Sequence, residues 1–475
     1  MNRPLPVRST GLAALVAIAA ASLGIIYGYD TSNIGAAKDF IKDQYSLGDG
    51  MTQAMATVVV VGEILGALVG GWFANRVGRK RAMVTVAGSY AVFALFSAVA
   101  PTVGLLLLAR FLLGLTIGVS VVVVPVFVAE SAPARNRGAM LVAYQFATIV
   151  GIILGYVFGY VLADTGEDAW RAMLGIAAIP AMLVTVVLMR LPDTARWYMS
   201  QNREAEARAA LSRVESGADA AQIELELADM RQALRDEHGG GIRELFRKPF
   251  ARATFFVVGL GFFIQITGIN AIVYYSPDIF SGMGYTDNFG KYMLPAFVQL
   301  FGLAAVIVSL FTIDRFGRRP ILLGGISTMV VAFITMIVAY QLADGQFTGG
   351  GAAGIVGFIG LVLVVVGFSF GFGSLVWVYA GEAFPARLRA YGSSAMLTAD
   401  LVANAIVAQF TLTLINGLGG STTFTIFGAL TIAAFVFVFK YAPETKGRKL
   451  EDIQHFWRNE GRWPAEPTVR IAAGS

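Results

Sequence analysis

The chain has 475 residues, of which 56% are hydrophobic and 14% are charged, with a net charge of +5, whereas soluble domains usually carry about 25% charged residues. With a mean hydropathy of +0.67, this composition excludes a soluble globular protein and predicts an integral membrane protein that lies in a lipid bilayer. The basic residues recur in short clusters between apolar runs, which argues against nucleic acid as a partner. The chain has no cysteine and only two histidines, which leaves little for disulfides, metal sites or Ser-His-Asp catalysis.

Runs that hold at most one charged residue and are long enough to cross a bilayer predict twelve spans. The first run follows Arg3 and Arg8 and so resembles a signal peptide. It is longer than the apolar region of such a peptide, and we interpret it as a transmembrane helix. The predicted spans in chain order are 9–29, 52–75, two within 82–129 divided at Pro101, 138–163, 172–189, 254–277, 292–313, 320–343, one within 346–381, 390–415 and 421–439.

A polar segment divides the spans into two sets of six. Its apolar residues Ile223, Leu227, Met230 and Leu234 recur at helical spacing, which predicts short amphipathic helices. The expected regions are a first six-helix half over 1–191, a cytoplasmic linker over 192–252, a second half over 253–442 and a tail over 443–475. The positive-inside rule then predicts a multi-pass protein of the cell membrane (the plasma or inner membrane) with both termini in the cytoplasm.

Three charged motifs occur twice, in the same order and about 250 residues apart. ESAPARNRG (130–138) returns as EAFPARLRA (382–390), NRVGRKR (75–81) as DRFGRRP (314–320), and LPDTARW (191–197) as APETKGR (442–448). A repeat of this length indicates two structural halves in the same orientation. Parallel halves around a central cavity are the layout of a transporter that opens alternately to the two sides of the membrane.

The repeated acids and arginines predict ion pairs at the cytoplasmic mouth of each half. A pair that forms in one state and breaks in another would bias the equilibrium between the two states. The alternative is that the arginines only hold their loops in the cytoplasm. The acid recurs at the same spacing from proline and arginine, which favours the first interpretation, in which the ion pairs act as a latch between the two states. The predicted gating residues are Arg76, Arg79, Glu130, Arg137, Arg315, Arg318, Glu382 and Arg389.

The ordered motifs resemble those of the sugar porter family of the major facilitator superfamily, over essentially the whole chain. The motifs that carry the resemblance are NRVGRK (75–80), ARFLLGLTIG (109–118), ESAPARNRG, LPDTAR (191–196), QITGINAIVYYSP (265–277), DRFGRRP, EAFPARLR and PETKG (443–447). The resemblance implies an all-α membrane protein with twelve transmembrane helices in two pseudo-symmetric halves. It implies transport of a monosaccharide or polyol by alternating access, with no enzyme activity and no cofactor. We expect a monomer whose other partners are protons and the bilayer.

Three ionisable residues fall inside predicted spans, namely Glu63, Arg110 and Asp400, and a fourth, Asp30, directly follows the first span and closes its helix. An ionisable residue costs about 3 kcal/mol at the membrane centre. Asp30 and Arg110 both lie in the outer half of the membrane and can pair, and their separation would let Asp30 take up a proton. Proton-coupled members of the sugar porter family, which the chain resembles, have Asp and Arg at these positions. Passive members tend to have Asn at the position of Asp30. The alternative is a static ion pair that fixes helix packing. For Glu63, a local ion pair, a group facing the cavity and a second protonatable group all stay open.

Polar and aromatic residues at membrane depth match the substrate-binding positions of the sugar porter family that the chain resembles. A sugar needs paired donors and acceptors and an aromatic face, although each residue alone could equally serve helix packing. The set is Tyr27, Gln145, Gln265, Asn270, Tyr274, Phe368, Trp377, Asp400 and Asn404. The chain departs from the family pattern at Ile264, Gly302 and Leu401, and Asp400 stands where an amide is usual. These departures favour a polyol such as an inositol, or an unusual or amino sugar, over plain glucose or xylose.

Three other functions fit parts of this pattern. Asp30 argues against a passive uniporter, and the amide-rich seventh span and PETKG argue against a drug-efflux antiporter of the same superfamily. A non-transporting nutrient sensor commonly adds a long cytoplasmic tail, and the chain ends soon after the last predicted span. The leading prediction is a secondary active transporter that imports a sugar or polyol with protons.

Overall fold

The computed structural model describes residues 11–131, 137–214, 220–236, 242–343, 347, 351–448, 450–459 and 461–463. Every regular element in these residues is a helix, as expected where backbone groups have no water to bond. Ten described segments are long and apolar enough to cross a membrane, and one of them, Leu388–Tyr441, contains two spans that meet at Gly419. The long first helix adds a further span, so the predicted twelve-helix fold is confirmed.

The first half contains six spans. They are α1 (Gly11–Tyr45), α2 (Asp49–Val77), α3 (Arg79–Val99), α4 (Val103–Ser131), α5 (Arg137–Leu162), and a sixth span made of α6 (Ala169–Ile176) and α7 (Ala178–Met189). The first helix does not end near residue 29 as the uncharged run suggested. Ala36, Ala37 and Ile41 are fully buried, so an apolar face keeps the helix packed through a charged stretch.

Small residues hold the helices of this half close together. An added Cβ at Gly28 of α1 would lie 1.9 Å from the carbonyl oxygen of Thr148 in α5, and one at Gly114 of α4 would lie 2.0 Å from that of Val59 in α2. Such close backbone contacts are typical of helix packing in membranes. They fix the positions of α1 and α4, which carry the predicted proton-coupling pair.

Four short helices follow the first half, namely α8 (Ala195–Ser200), α9 (Glu204–Val214), α10 (Ala220–Asp236) and α11 (Ile242–Leu245). The apolar sides of α8, α9 and α10 form a small cluster of their own that includes Leu211 and Leu227. An ion pair of 2.6 Å between Arg208 and Glu224 ties α9 to α10. The predicted linker region is therefore a helical layer with its own small core.

The second half follows the same six-span plan with two breaks. Its helices are α12 (Ala251–Ile266), α13 (Ile269–Gly282), α14 (Leu294–Phe316) after a π-helical turn at Phe289–Met293, α15 (Arg318–Leu342), α16 (Ala352–Phe370), α17 (Phe372–Glu382), α18 (Ala386–Tyr441) and α19 (Leu450–Arg458). The seventh span breaks at Gly268, whose φ of 92° is left-handed, and the tenth breaks at Gly371. Gly268 lies between Gln265 and Asn270, so these two predicted site residues belong to different helices.

The two ends of the bundle differ in charge. We call the end that carries the repeated motifs, where α2 meets α3 and α14 meets α15, the basic end. The opposite end, where α1 meets α2 and α5 meets α6, is the far end. The linker helices lie at the basic end, where the Trp197 indole N–H of α8 donates to the Asn75 carbonyl oxygen at 3.0 Å.

Candidate substrate and proton site

Asp30 and Arg110 form an ion pair inside the bundle. Arg110 Nη1 lies 2.5 Å from Asp30 Oδ1, and the two side chains expose 1% and 6% of their surface respectively. The Tyr90 hydroxyl of α3 lies beside the Asp30 carboxylate. Since either charge alone would be costly at this depth, each group neutralises the other. The two predicted proton-coupling residues are therefore in direct contact in this conformer.

Hydrogen bonds connect the amides of the seventh and eleventh spans. Asn270 Nδ2 donates to Asn404 Oδ1 at 2.9 Å, and Asn404 Nδ2 donates to the Tyr274 hydroxyl oxygen at 3.2 Å. The Gln265 side-chain amide lies beside the Asp400 carboxylate, and Gln265 Oε1 has no hydrogen-bond partner among the described residues. These five residues form a network of donors and acceptors of the kind that binds sugar hydroxyls.

Two residues of the first half interact electrostatically with this network. Tyr27 of α1 interacts electrostatically with Glu63, Tyr274 and Asp400. Glu63 of α2 interacts with Asp400 and with Asp30. The network therefore lies between the two halves, and Glu63 and Tyr274 both interact electrostatically with Asp30 of the ion pair.

Three predicted site residues stand apart from the network. Trp377 is 43% exposed, the Phe368 ring packs against Phe372 at 6.4 Å, and Gln145 is half-buried on α5. Among the described residues, no hydrogen bond or ring contact joins any of them to Asn270 or its partners. Their role in substrate binding stays a prediction.

Four side chains form a cluster at the basic end of the first half. Arg79 Nε lies 3.1 Å from Glu130 Oε2, and the Thr194 hydroxyl donates to the same oxygen at 2.6 Å. Asp193 Oδ1 accepts from the backbone N–H groups of Arg79 and the next residue at 3.0 and 3.2 Å, so it caps the start of α3. Gly78 has a φ of 103°, and an added Cβ there would lie 2.2 Å from Asp193 Oδ2.

The second half repeats this cluster. Glu444 accepts from the backbone N–H groups of Arg318 and the next residue at 3.0 and 3.1 Å, and Glu382 lies beside Arg318 and Thr445. The sequence prediction included Arg318 and Glu382 but assigned no role to Asp193 or Glu444. The sequence feature that could have identified these two residues is the acid that follows proline in both LPDTARW and APETKGR.

The remaining predicted gating residues do not join these clusters. Arg76 and Arg315 are exposed and each lies over a neighbouring aromatic ring at 5.6 Å, so the structure does not bring them to Glu130 or Glu382. Arg389 is half-buried, and its Nε has no hydrogen-bond partner in the described part of the chain. The side chain of Arg137 lies outside the described residues. Since both clusters join helices of one half, a latch between states stays a prediction.

Replacing Glu130 by glutamine should lower the free energy of unfolding by about 1–3 kcal/mol, because Arg79 loses its charged acceptor in a nearly closed site. Thermal unfolding of the purified protein in detergent measures this change. Glu206→Gln is the matched control, since the Glu206 and Arg203 side chains are 46% and 45% exposed and such pairs contribute less than about 1 kcal/mol. Equal shifts in the two variants would contradict a stabilising role for Glu130.

Contacts between the two halves close the far end. Lys38 of α1 is 2% exposed and forms an ion pair with Asp278 of α13. The Tyr156 hydroxyl of α5 donates to the Val273 carbonyl oxygen at 2.6 Å. Two more hydrogen bonds cross here, from Gln53 Nε2 to the Thr413 hydroxyl at 2.8 Å and from Asn416 Nδ2 to Asp49 Oδ2 at 2.7 Å. Gln265, Asn270 and Asp400 are nevertheless only half-buried, so part of each side chain stays accessible while the far end is closed.

The Lys38–Asp278 pair is a candidate functional contact that the sequence prediction missed. Lys38 falls after residue 29, the predicted end of the first span. The available signal was the apolar spacing of Ala37 and Ile41, both fully buried, which continues the helix past the lysine. A buried lysine inside a packed helix requires an acidic partner.

Two similar six-span halves with a polar site between them, closed at one end, define a transporter of the alternating-access class. The chain belongs to the family described as Sugar (and other) transporter, whose model matches residues 16–457. This is a family of transporters and not of enzymes.

Known relatives cover almost the whole chain. The chain is 33% identical over 438 residues to the putative metabolite transport protein YwtG of Bacillus subtilis, covering 92% of this chain and 93% of the relative. It is 31% identical over 442 residues to the galactose-proton symporter of Escherichia coli, with 92% and 93% covered. The solved structure of the major facilitator superfamily proton:xylose symporter XylE, bound to 6-bromo-6-deoxy-D-glucose, matches with a TM-score of 0.79 at 24% identity and covers 94% of this chain and 99% of that one. The structural likeness indicates a shared fold.

Proposed function

We propose that this protein imports a monosaccharide or polyol together with protons. The observation that carries the proposal is the buried Asp30–Arg110 pair, which interacts electrostatically with the polar network between the halves through Tyr274. Relatives named galactose-proton and arabinose-proton symporters support proton coupling. A relative named polyol transporter 5, from Arabidopsis thaliana and 28% identical over 484 residues, supports the wider substrate class.

In this proposal the basic end faces the cytoplasm, and the protein lies in the cell membrane with both termini inside. The support is the arginine and lysine content of the loops at that end, as the positive-inside rule expects. The conformer with a closed far end is then the inward-facing one. The chain acts as a monomer, because each half supplies part of one site.

The proposed cycle uses the two ends in turn. With the far end open, Asp30 takes up a proton and separates from Arg110, and the sugar binds the amides of the seventh and eleventh spans. The far end then closes through Lys38 and Asp278. Renewed pairing of Asp30 with Arg110 displaces the proton, and the sugar leaves at the basic end. The protein that carries both a proton and a sugar, and the empty protein, are the two forms that change state most readily. Sugar therefore enters together with a proton, and the proton gradient drives its uptake.

Uptake of labelled compounds into proteoliposomes, with and without an inward proton gradient, tests this proposal. The panel is D-galactose, L-arabinose, D-xylose, myo-inositol and D-glucosamine. We expect at least one compound to accumulate above its outside concentration, and only with the gradient. Equilibration without accumulation would indicate a passive uniporter. Binding without any uptake would indicate a sensor.

Asp400→Asn should weaken binding of the best panel compound several-fold and improve the relative recognition of plain hexoses. A carboxylate accepts hydrogen bonds from hydroxyls more strongly than an amide does, by about 1 kcal/mol, and Asp400 is a half-buried partner of Gln265. Competition binding across the panel measures the ranking. Thr398→Ala is the control, because Thr398 lies on the same helix and its hydroxyl donates to the Ser394 carbonyl oxygen of that helix. An unchanged ranking in Asp400→Asn would reduce Asp400 to a helix-packing residue.

A further inference from the structure

Glu63 is a buried carboxyl group that the proposed cycle does not use. It is 3% exposed, and its Oε2 has no hydrogen-bond partner among the described residues. An added Cβ at Gly118 of α4 would lie 2.1 Å from the Glu63 carbonyl oxygen, so the helices touch at this point. Val60, one turn earlier on α2, packs with Leu397 and Leu401 of α18. Glu63 therefore lies at the interface of the two halves, away from lipid.

The charges around Glu63 do not balance. The described groups that act on it come from five helices, namely Tyr27 and Asp30 of α1, Arg110 of α4, Tyr144 of α5, Tyr274 of α13 and Asp400 of α18. Arg110 is the one cation among these described groups, and it is paired with Asp30. Glu63 and Asp400 therefore repel each other electrostatically, from opposite halves, without a cation of their own in this group.

An ionised Glu63 would be costly in this position. A buried carboxylate without a counter-charge pays a large desolvation penalty, and a second carboxylate nearby adds repulsion. A bound proton removes both costs. An ammonium group of a substrate would also do so, but an almost fully enclosed side chain offers little contact surface to a sugar-sized ligand. The half-buried Asp400 is the better placed of the two for that role.

We propose that Glu63 is a second proton-binding residue of the coupling pathway, which receives the proton that Asp30 releases and holds it before its release at the basic end. In the present conformer Arg110 occupies Asp30 as its ion-pair partner. The unpartnered Glu63 Oε2 takes that proton, which later passes to water in the space beside Asp400. Glu63 loses one proton for each one that it takes up, so the step is balanced. The inference rests on the proposed proton-coupled transport.

Infrared spectroscopy of the purified protein tests the proton on Glu63 without any substrate. At neutral pH we expect a carbonyl stretch of a protonated carboxyl group in the wild type that is lost in Glu63→Gln. The band should persist in Asp400→Asn and in Glu206→Gln, which alters an exposed carboxylate. Loss of the band in Asp400→Asn but not in Glu63→Gln would overturn the proposal, because the proton would then belong to Asp400.

Transport tests the relay with the panel compound that accumulates most in the wild type. Glu63→Gln should lower gradient-driven accumulation about tenfold or more, while exchange of labelled for unlabelled compound stays within about twofold. Glu63→Asp, which keeps a titratable group, should recover part of the accumulation. Wild-type accumulation in Glu63→Gln would overturn the relay, as would a loss confined to D-glucosamine binding, which would identify an ammonium site. Failure of every compound to accumulate in the wild type would instead overturn proton-coupled transport, and the infrared result would still stand.

Discussion

Proteoliposomes that contain Asp30→Asn should not concentrate sugar against a gradient, although they should still exchange labelled for unlabelled sugar. Asparagine keeps the size and polarity of the side chain but cannot bind the coupling proton. The amides of the seventh and eleventh spans are unchanged, so sugar still binds and the loaded protein still changes state. We expect the ratio of inside to outside sugar to fall to about one. Counterflow and accumulation measured on the same vesicles give the two results.

The control for this experiment separates coupling from charge burial. Asp30→Asn leaves Arg110, whose side chain is 1% exposed, without a counter-charge, which is destabilising. The double variant Asp30→Asn/Arg110→Gln removes both charges and should recover any lost stability without recovering accumulation. Continued accumulation in either variant would show that Asp30 does not carry the coupling proton.

Lys38→Met should shift the equilibrium toward the conformer that is open at the far end by about 100-fold or more. The substitution leaves Asp278, whose side chain is 21% exposed, without its cation in the closed state, and breaking a buried pair in this way costs about 3–5 kcal/mol. The chain has no cysteine, so Ser276→Cys, at a position that is 2% exposed, is a clean reporter. A membrane-impermeant maleimide applied from the far side measures the opening.

Three further variants serve as controls and calibration for this experiment. Asp278→Asn should have a smaller effect, because Lys38 Nζ also lies 2.9 Å from Asp39 Oδ1 and keeps that partner. The double variant Lys38→Met/Asp278→Leu removes both charges and should restore the closed far end. A cysteine at the exposed Glu167 calibrates full labelling. If Lys38→Met labels at the wild-type rate, the ion pair does not hold the far end closed.

Much of the fold could be predicted because it depends on patterns along the chain. The uncharged runs and the repeated motifs are local features, and they were sufficient for twelve helices in two halves. Depth in the membrane also follows from position along a helix, which is why Asp30 and Arg110 could be expected to meet.

The contacts between halves could not be predicted in the same way. They depend on how far each helix continues and on how it is rotated. The buried face of α1 extends past residue 29, so Lys38 belongs to a helix and meets Asp278 of the other half. The rotation of each helix likewise brings Asn270 to Asn404 but leaves Trp377 exposed.

Two arginines of one motif at the basic end differ in whether they pair with Glu130. Arg76 and Arg79 are three residues apart, and both were expected to pair with Glu130. Only Arg79 does so, because Asp193 caps the backbone at that residue and fixes the start of α3. The cap depends on an acid more than a hundred residues later in the chain, which a motif by itself does not reveal.

Proton movement driven by sugar alone is the most direct test of coupled transport. Proteoliposomes with an entrapped pH-sensitive dye and no initial proton gradient are given the panel compound that accumulates best. The proposed symport predicts acidification of the lumen on addition of this compound, and no acidification with Asp30→Asn. Uptake of the labelled compound by the wild type without any change in internal pH would contradict the coupling of sugar to protons.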